Sequence, residues 1–351
     1  MNKFLSLSIL QVLGINNVNR DDLGNVKSAV YGGAIRQRVS SQCWKKFVRD
    51  TLHELTGYKS YRSQLMADKI YADLVTGGMA PADAVAAIGQ VFAASKKIGK
   101  LIKDYKTIVE KGVQPGVEIK TECLIFYSQE EYALILNACR TGTVDKDIQD
   151  IILSAQSRFG AIVSLFGRMM ADHTSLNVEA ASSFAHAFST HEIAQESDYF
   201  TAKDDLSTGS GAGHLNQTSF TQSTVYRHIT LDVDQLRTNL VGATEDEIRE
   251  VVSAFFKACV IAFPTGKSHS LESRTLPSFV KIDSTNLPIS MCGAFEKPVA
   301  PGVGGGFLES SVAAFEAHYA KMVSSGYIVD KTYGGSAYSI DELGAFAASC
   351  V

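Results

Sequence analysis

Near the start of the chain Leu5, Leu7 and Ile9 alternate with Ser6 and Ser8, a period of two that predicts a strand with one apolar face. A polar stretch runs from Asn16 to Asn25, followed by Tyr31-Gly32-Gly33, where glycines permit a sharp turn. The period then changes. Trp44, Phe47, Val48, Leu52 and Leu55 recur at helical spacing behind Ser40-Ser41, two good N-cap residues, so a helix is expected to begin there. Lys45, Lys46 and Arg49 fall mainly off its apolar stripe.

From about 57 to 165, an Ala-rich stretch (80–94) and two apolar-periodic runs (132–138, 148–155) predict a helical subdomain. Strand texture returns over 183–193 and 224–233. Between them, 194–223 is polar and contains Gly209-Ser210-Gly211-Ala212-Gly213. A segment of about 30 residues without its own periodicity points to a functional projection. Thr244 is placed to cap a helix whose apolar face runs through Ile248, Val251, Val252, Phe255, Cys259 and Val260 and which Pro264 ends. Strands near 279–282 and 289–295 and an amphipathic helix near 311–323 complete the expected elements. Without the insertions the order is βαββαβ, an α+β, RRM/ferredoxin-like arrangement. Many RNA-binding domains share it, but the fold alone does not assign a function.

With 351 residues the chain is long enough for about two domains. At 45% hydrophobic and 20% charged it can bury a sizeable core, which excludes a disordered or collagen-like protein. No apolar run reaches the roughly 18 residues of a membrane span. Residues 1–13 hold Lys3 and several apolar positions, but Ser6, Ser8 and Gln11 interrupt them, so a core strand is expected rather than a signal peptide. Six cysteines are scattered with no CxxC pair, which predicts reduced thiols in a cytoplasmic protein and no zinc cage.

A net charge of −4 argues against nucleic acid on average, but the average misleads. Residues 23–49 contain Lys27, Arg36, Arg38, Lys45, Lys46 and Arg49 and no acid, a local charge of +6. Phosphate contacts are made locally, so such a cluster outweighs the total.

Several motifs fail on inspection. Gly266-Lys267-Ser268 resembles the end of a P-loop, but the glycine required five residues earlier is Ile261 and no strand precedes it. His191-Glu192 does not complete a zinc motif, because position 195 is Gln, and His186 and His191 are read as structural. No GxSxG occurs, and no metal or cofactor is expected. Asp21-Asp22 and Asp204-Asp205 are paired carboxylates in polar loops, where solvated or capping roles are commoner than catalysis.

What holds is Arg36-Gln37-Arg38-Val39-Ser40-Ser41-Gln42 followed by Lys45, Lys46 and Arg49. A helix N-terminus offers free N–H groups to a phosphate, and Lys45 and Arg49, four apart, share one side of the helix. Such contacts position a nucleic acid without reading its sequence.

At this point a resemblance appears. Asn19-Arg20-Asp21-Asp22, Lys27, Gly32-Gly33, Arg38, Ser40-Ser41-Gln42, Lys45 and Arg49 closely resemble the N-terminal signature of the CasC-type backbone subunit of type I-E CRISPR Cascade. Gly167-Arg168-Met169, Ala185-His186-Ala187, Thr190-His191, Phe200-Thr201-Ala202, Asp204-Asp205-Leu206, Ala212-Gly213-His214-Leu215 and Ala294-Phe295-Glu296-Lys297 follow in the same order. Singly these are weak; ordered along most of the chain they are strong.

The resemblance implies a hand-shaped subunit. Its palm would comprise 1–56, 166–193 and 224–351, its helical fingers 57–165 and its thumb hairpin 194–223. It implies a non-enzymatic protein whose copies polymerise along a CRISPR RNA, each thumb flipping out one base so that the segments between pair with target DNA. The implied RNA-contacting palm residues are Lys27, Ser40, Gln42, Lys45 and Arg49, with Arg20 and Lys46 beside them. On the thumb they are Tyr199, Phe200, Thr201 and Lys203, and after the fingers Met169. Apolar wedges suit a variable guide, since stacking is worth roughly 1–3 kcal/mol per base whatever the base. The alternative for Tyr199 and Phe200 is a small core beneath the thumb. Implied partners are other copies of the chain, the subunit capping the guide's 5′ end, the small and large subunits, and an RNA processing endonuclease. Lys96, Lys97, Lys100 and Lys103 share helical spacing and are candidates for touching target duplex, in place of a lysine-rich finger helix where this chain has Asp145-Lys146-Asp147. The rival is an RNA-cleaving, type III-like backbone subunit using Asp21 or Asp22.

Overall fold

The computed structural model describes residues 4–94, 108, 118–122, 124–142, 160–169, 177–202 and 214–351. The chain divides into two compact units: Met1–Leu55 with Ser182–Val233 and Arg249–Val351, and Thr56–Ala181 with Asp234–Ile248.

The first unit is built on a nine-stranded antiparallel sheet. Its elements are β1 (Phe4–Asn16), β2 (Ser28–Tyr31), β3 (Ala34–Val39), α1 (Ser41–Thr56), β6 (Ser182–Phe184), β7 (Ala187–Ser189), β8 (Glu196–Ala202) and β9 (His214–Asp232). They continue with α7 (Glu245–Ile261), β10 (Phe279–Thr285), a 3-10 turn (Met291–Phe295), α8 (Leu308–Ser324), β11 (Val329–Gly335) and α9 (Ile340–Ser349). The strand order is β11-β10-β1-β9-β7-β3-β2, with β6 and β8 also pairing β9. Its centre, β10-β1-β9-β7, is the strand order of the split βαβ fold, with α1 and α7 as the two crossovers.

β1 is buried on both faces. Leu7, Ile9 and Leu13 lie on one, and Leu13 packs with Val39, Trp44 and Val225 under α1. Ser6, Ser8 and Leu10 lie on the other, where Leu10 joins Tyr226, Phe279, Phe295 and Phe315 under α8. The alternation seen in the sequence therefore marks two covered faces, not one covered and one wet. Many ferredoxin-like RNA binders leave this second sheet face open; here α8 closes it, so bases cannot be read there.

The segment 289–295 is not a strand. Tyr226 Oη accepts the Met291 N–H at 2.9 Å and Ser290 Oγ accepts that of Cys292 at 3.3 Å, which turns the chain into a 3-10 helix. The sheet's edge is taken by β11, whose two glycines and polar residues carry no strand pattern. Gly334 is required there, since a Cβ would lie 2.1 Å from the Val280 carbonyl oxygen. The helix expected over 311–323 spans Leu308–Ser324.

In the second unit α2 (Met66–Thr76), α3 (Pro81–Ala94) and α4 (Gln129–Thr141) enclose a core containing Ile70, Leu74, Ile88, Phe92 and Ile135. A short ribbon of β4 (Ser60–Ser63) and β5 (Ile125–Ser128), not expected from the sequence, adds Tyr61 and Tyr127. The unit also holds α5 (Ala161–Phe166) and α6 (Val233–Asn239), the latter joined to the sheet by Val233. Ser128 caps α4 in a reciprocal capping box with Glu131. Glu131 also binds Arg168 at 2.7 Å in a buried ion pair. The run expected over 148–155 lies outside the described residues. Among the described residues no helix is long and apolar enough to cross a membrane.

Candidate nucleic-acid interface

β2 and β3 join through Gly32-Gly33, both with positive φ. A Cβ at Gly32 would sit 1.5 Å from the Glu296 carbonyl oxygen, so only glycine fits. The hairpin delivers the chain to Ser40, which caps α1: its Oγ accepts the Cys43 N–H at 3.3 Å. The Ser40 N–H is itself taken by Asn19 Oδ1 at 2.9 Å. No acid occupies the first turn of α1, and the first N–H groups of any helix lack intrahelical partners, so this end presents donors and the positive end of the dipole.

Along α1, Trp44, Val48 and Leu52 are buried and the cations flank them. Lys45 is half-buried, its ammonium 5.6 Å from the Phe184 ring, and burial draws its pKa below the usual lysine value. Lys46 is exposed and bonded to Asp50 at 2.5 Å, with Arg49 3.6 Å from the same carboxylate. Gln42 is exposed, whereas Ser40 is nearly buried and its oxygen is committed to the cap.

Arg36 does not belong to this basic face. It is fully buried and donates to the carbonyls of Tyr31, Ser189 and Phe295 at 3.3, 2.9 and 3.1 Å. It clamps the hairpin to the palm. Arg38 is half-exposed, with Nη1 3.1 Å from His186 Nδ1.

The loop between β1 and β2 is fixed from within. Asp21 Oδ1 accepts the N–H groups of Leu23 and Asn25 at 2.9 and 2.8 Å. Desolvation would raise the carboxyl pKa, but the hydrogen bonds from Asn25, Leu23 and Gly24 outweigh it and hold it below the usual value. Arg20 pairs across the loop with Val26 and is exposed, as is Asp22. Asn17 joins the loop to β9 through the Ser219 carbonyl at 2.8 Å.

β8 and β9 form a hairpin, with Tyr199 opposite Gln217 and Phe200 opposite Asn216. Tyr199 is 67% and Phe200 42% exposed, so among the described residues neither is packed into a core, and alternation sends them to opposite faces of the ribbon. Thr201 is exposed beside them. Thr221 Oγ1 donates to the Ala194 carbonyl at 2.6 Å, tying the base of the hairpin. In the second unit Met169 is 88% exposed, directly after buried Arg168.

Lys96, Lys97, Lys100, Lys103, Asp145-Lys146-Asp147, Lys203 and Asp204-Asp205 lie outside the described residues. His191 is a packing residue: Nε2 accepts the Thr224 N–H at 3.2 Å, Nδ1 bonds the Glu192 carbonyl at 2.8 Å, and the ring stacks on Phe307 at 3.5 Å. Gly266 lies in a turn where a Cβ would meet the Val18 carbonyl oxygen at 2.5 Å.

The sequence reading named Asn19 only within the signature, without its bond to Ser40, and missed Asn17 and the Arg38–His186 contact. Three asparagines within four positions after the first strand were the available signal, because asparagine side chains complete local turns and cap backbone groups.

The model of the CT1975-like (Cas) protein family matches residues 5–344. Two solved structures are similar over 99% of this chain and 100% of theirs. One, described as a "CRISPR RNA-guided surveillance complex, pre-nicking", is 27% identical with a TM-score of 0.85. The other, a "CRISPR RNA-guided surveillance complex", is 25% identical with a TM-score of 0.72. No curated protein matches the chain.

Proposed function

The chain belongs to the CT1975-like (Cas) protein family, and from that premise we propose that it is a CRISPR RNA-binding backbone subunit of a type I-E Cascade surveillance complex. Copies line the guide RNA in the cytoplasm, each holding a stretch of backbone on its palm and displacing one base with its thumb. The N-terminal end of α1 supports this reading: the helix begins at Ser41 behind the Ser40 cap, has no acid in its first turn and bears Lys45 and Arg49.

A phosphodiester is the anion this arrangement suits, and Arg20 and Lys27 extend the basic track toward the loop after β1. Exposed Tyr199 and Phe200 on the hairpin supply sequence-independent wedges, and Met169 a third apolar surface. Base pairing then reads sequence while the protein fixes geometry. Target DNA is held by pairing to the guide, with Lys96, Lys97, Lys100 and Lys103 as candidate duplex contacts. The 5′-end cap subunit, the small and large subunits and the RNA processing endonuclease complete the complex.

The subunit acts by positioning and not by cleavage. Asp21 accepts two amides of its own loop, which gives it a structural role and supports this reading, while the cleaving alternative would use Asp21 or exposed Asp22.

The test is to express the chain with its neighbouring genes, purify it and sequence the co-purifying RNA. Spacer-repeat RNAs of uniform length bound by several copies are expected. Random cellular RNA, or none, defeats the reading. Periodic metal-dependent cuts in guide-complementary RNA, lost on Asp21→Ala or Asp22→Ala, would replace it with the cleaving one.

A further inference from the structure

Arg38 and His186 meet at 3.1 Å between guanidinium Nη1 and imidazole Nδ1. An arginine can only donate, so the ring nitrogen facing it must accept, and His186 is therefore neutral in this arrangement. Lys27 stands nearby: its carbonyl accepts the Arg38 N–H at 2.8 Å, and its charge acts on the same ring. Burial first, then Arg38 on β3 and Lys27 just before β2, hold the imidazole below its ordinary pKa, and no carboxylate among the described residues acts on it.

Neither Lys27 nor Arg38 forms an ion pair with an acid among the described residues. Two cations and an exposed imidazole thus lie together with no carboxylate paired to them among the described residues. The Arg38–His186 hydrogen bond holds the pair together with the ring neutral, and protonating the ring would set it against two cations. A cluster of this charge and exposure suits an anion.

We propose that Lys27, Arg38 and His186 form a phosphodiester-binding site, with Arg38 and His186 as RNA-backbone contacts additional to those on α1. The inference rests on the proposed function and deepens it. A phosphate oxygen placed between the guanidinium and the ring takes the Arg38 N–H that His186 now accepts. The freed Nδ1 then binds a proton from solvent, and His186 becomes a second donor to the phosphate. One anion arrives and one proton is taken up, so RNA binding at this site tightens as pH falls through the histidine range. Sequence plays no part, since all three groups address the backbone.

The experiment measures binding of the full-length chain to a fluorescein-labelled single-stranded RNA oligonucleotide of mixed sequence between pH 7.5 and pH 5.5. It compares wild type with His186→Asn, whose amide oxygen still accepts from Arg38 but does not titrate. Wild type is expected to tighten by about 3- to 10-fold more than His186→Asn, with proton uptake on binding seen by calorimetry in two buffers. Arg38→Gln is expected to lower the salt slope of binding by about one phosphate contact. Equal pH responses in wild type and His186→Asn, or an unchanged salt slope in folded Arg38→Gln, overturn the site while leaving the proposed function standing. Failure of the wild-type chain to bind RNA at any pH overturns both.

Discussion

Asn17 Nδ2 donates to the Ser219 carbonyl on β9 at 2.8 Å, and the same amide donates to the Gly24 carbonyl at 3.0 Å. Two segments 202 positions apart in the chain are thereby locked, the loop carrying Arg20 and the strand that continues into the projecting hairpin. Val26 N–H to Ser219 Oγ at 3.1 Å closes the same junction. Asn17→Ala leaves two buried acceptors unsatisfied. It is expected to lower unfolding free energy by about 1–3 kcal/mol in a urea titration, and Asn17→Asp by more, because a carboxylate facing two carbonyls repels them. A loss below about 0.5 kcal/mol would show that the junction is held elsewhere.

The turn between β2 and β3 separates two effects of glycine. At Gly32 a methyl group meets the Glu296 carbonyl oxygen at 1.5 Å, whereas at Gly33 it meets open space, yet both have positive φ. Gly33→Ala is expected to lose about 1 kcal/mol from the left-handed backbone alone. Gly32→Ala adds a backbone clash and should cost at least twice that, read as paired thermal midpoints. Equal losses would mean that the hairpin lifts off Glu296 without penalty.

Arg227 is fully buried, its guanidinium carbon 3.6 Å from the centre of the Trp44 ring. It donates to Gln11 Oε1 at 2.9 Å and to the Cys259 carbonyl at 2.7 Å, and burial draws its pKa down to about 10. Arg227→Ala removes the donors, the ring contact and the volume together, and should cost about 3–5 kcal/mol by denaturant unfolding. Arg227→Met keeps most of the volume and is expected to lose clearly less. If both lose the same, the charge and not the packing dominates.

How much of this was legible in the sequence follows from which forces leave a local pattern. Ser40 and Thr244 were placed as caps from side-chain type and the apolar runs after them, and both hold: Thr244 Oγ1 accepts the Glu247 N–H at 3.3 Å while Glu247 returns the bond at 2.9 Å. Helix caps are set by neighbours three residues away, so sequence shows them. β11 and the segment 289–295 went wrong for the opposite reason. What makes 289–295 a turn is the Tyr226 hydroxyl, 65 positions away, and what admits β11 is a glycine fitting against Val280. Arg36 was counted with the basic face because charge is visible and burial is not. Three carbonyls from distant segments take it inside. The Arg38–His186 contact, 148 positions apart, left no spacing to read.

The same sheet carries a pH liability. His228 is buried on β9, and burial holds its pKa down to about 4, against 6.5 for the exposed ring. Above pH 6.5 both folded and unfolded chains hold it neutral and it has no effect. As pH falls from 6.5 toward 4 the unfolded chain takes a proton that the folded chain refuses, so stability is lost across that window, by about 3 kcal/mol. The depressed pKa values of His186, His191 and His318 act in the same direction. His228→Phe should flatten the acid limb of a stability–pH curve measured by urea unfolding. A limb of unchanged steepness would assign the loss to the other histidines.

Lys45, Lys46 and Arg49 are neighbours on α1 but not equivalents. Lys46 already has Asp50 at 2.5 Å, and an exposed pair of this kind contributes little to either partner's other contacts. Lys45 has no such carboxylate among the described residues. It is half-buried against Phe184, near the first turn of α1 behind the Ser40 cap. A phosphate on that turn meets Lys45 first, and Arg49, 3.6 Å from Asp50, continues the track one turn on. Lys45→Ala is therefore expected to weaken RNA binding most, Arg49→Ala next and Lys46→Ala least. Lys45→Ala and Arg49→Ala should each reduce the salt slope by about one and act equally on guides of unrelated sequence. Filter binding of two spacers across a salt series measures both quantities. A Lys45→Ala effect confined to one spacer would mean that bases are being read, and a Lys46→Ala loss as large as that of Lys45→Ala would place the backbone on the other side of the helix.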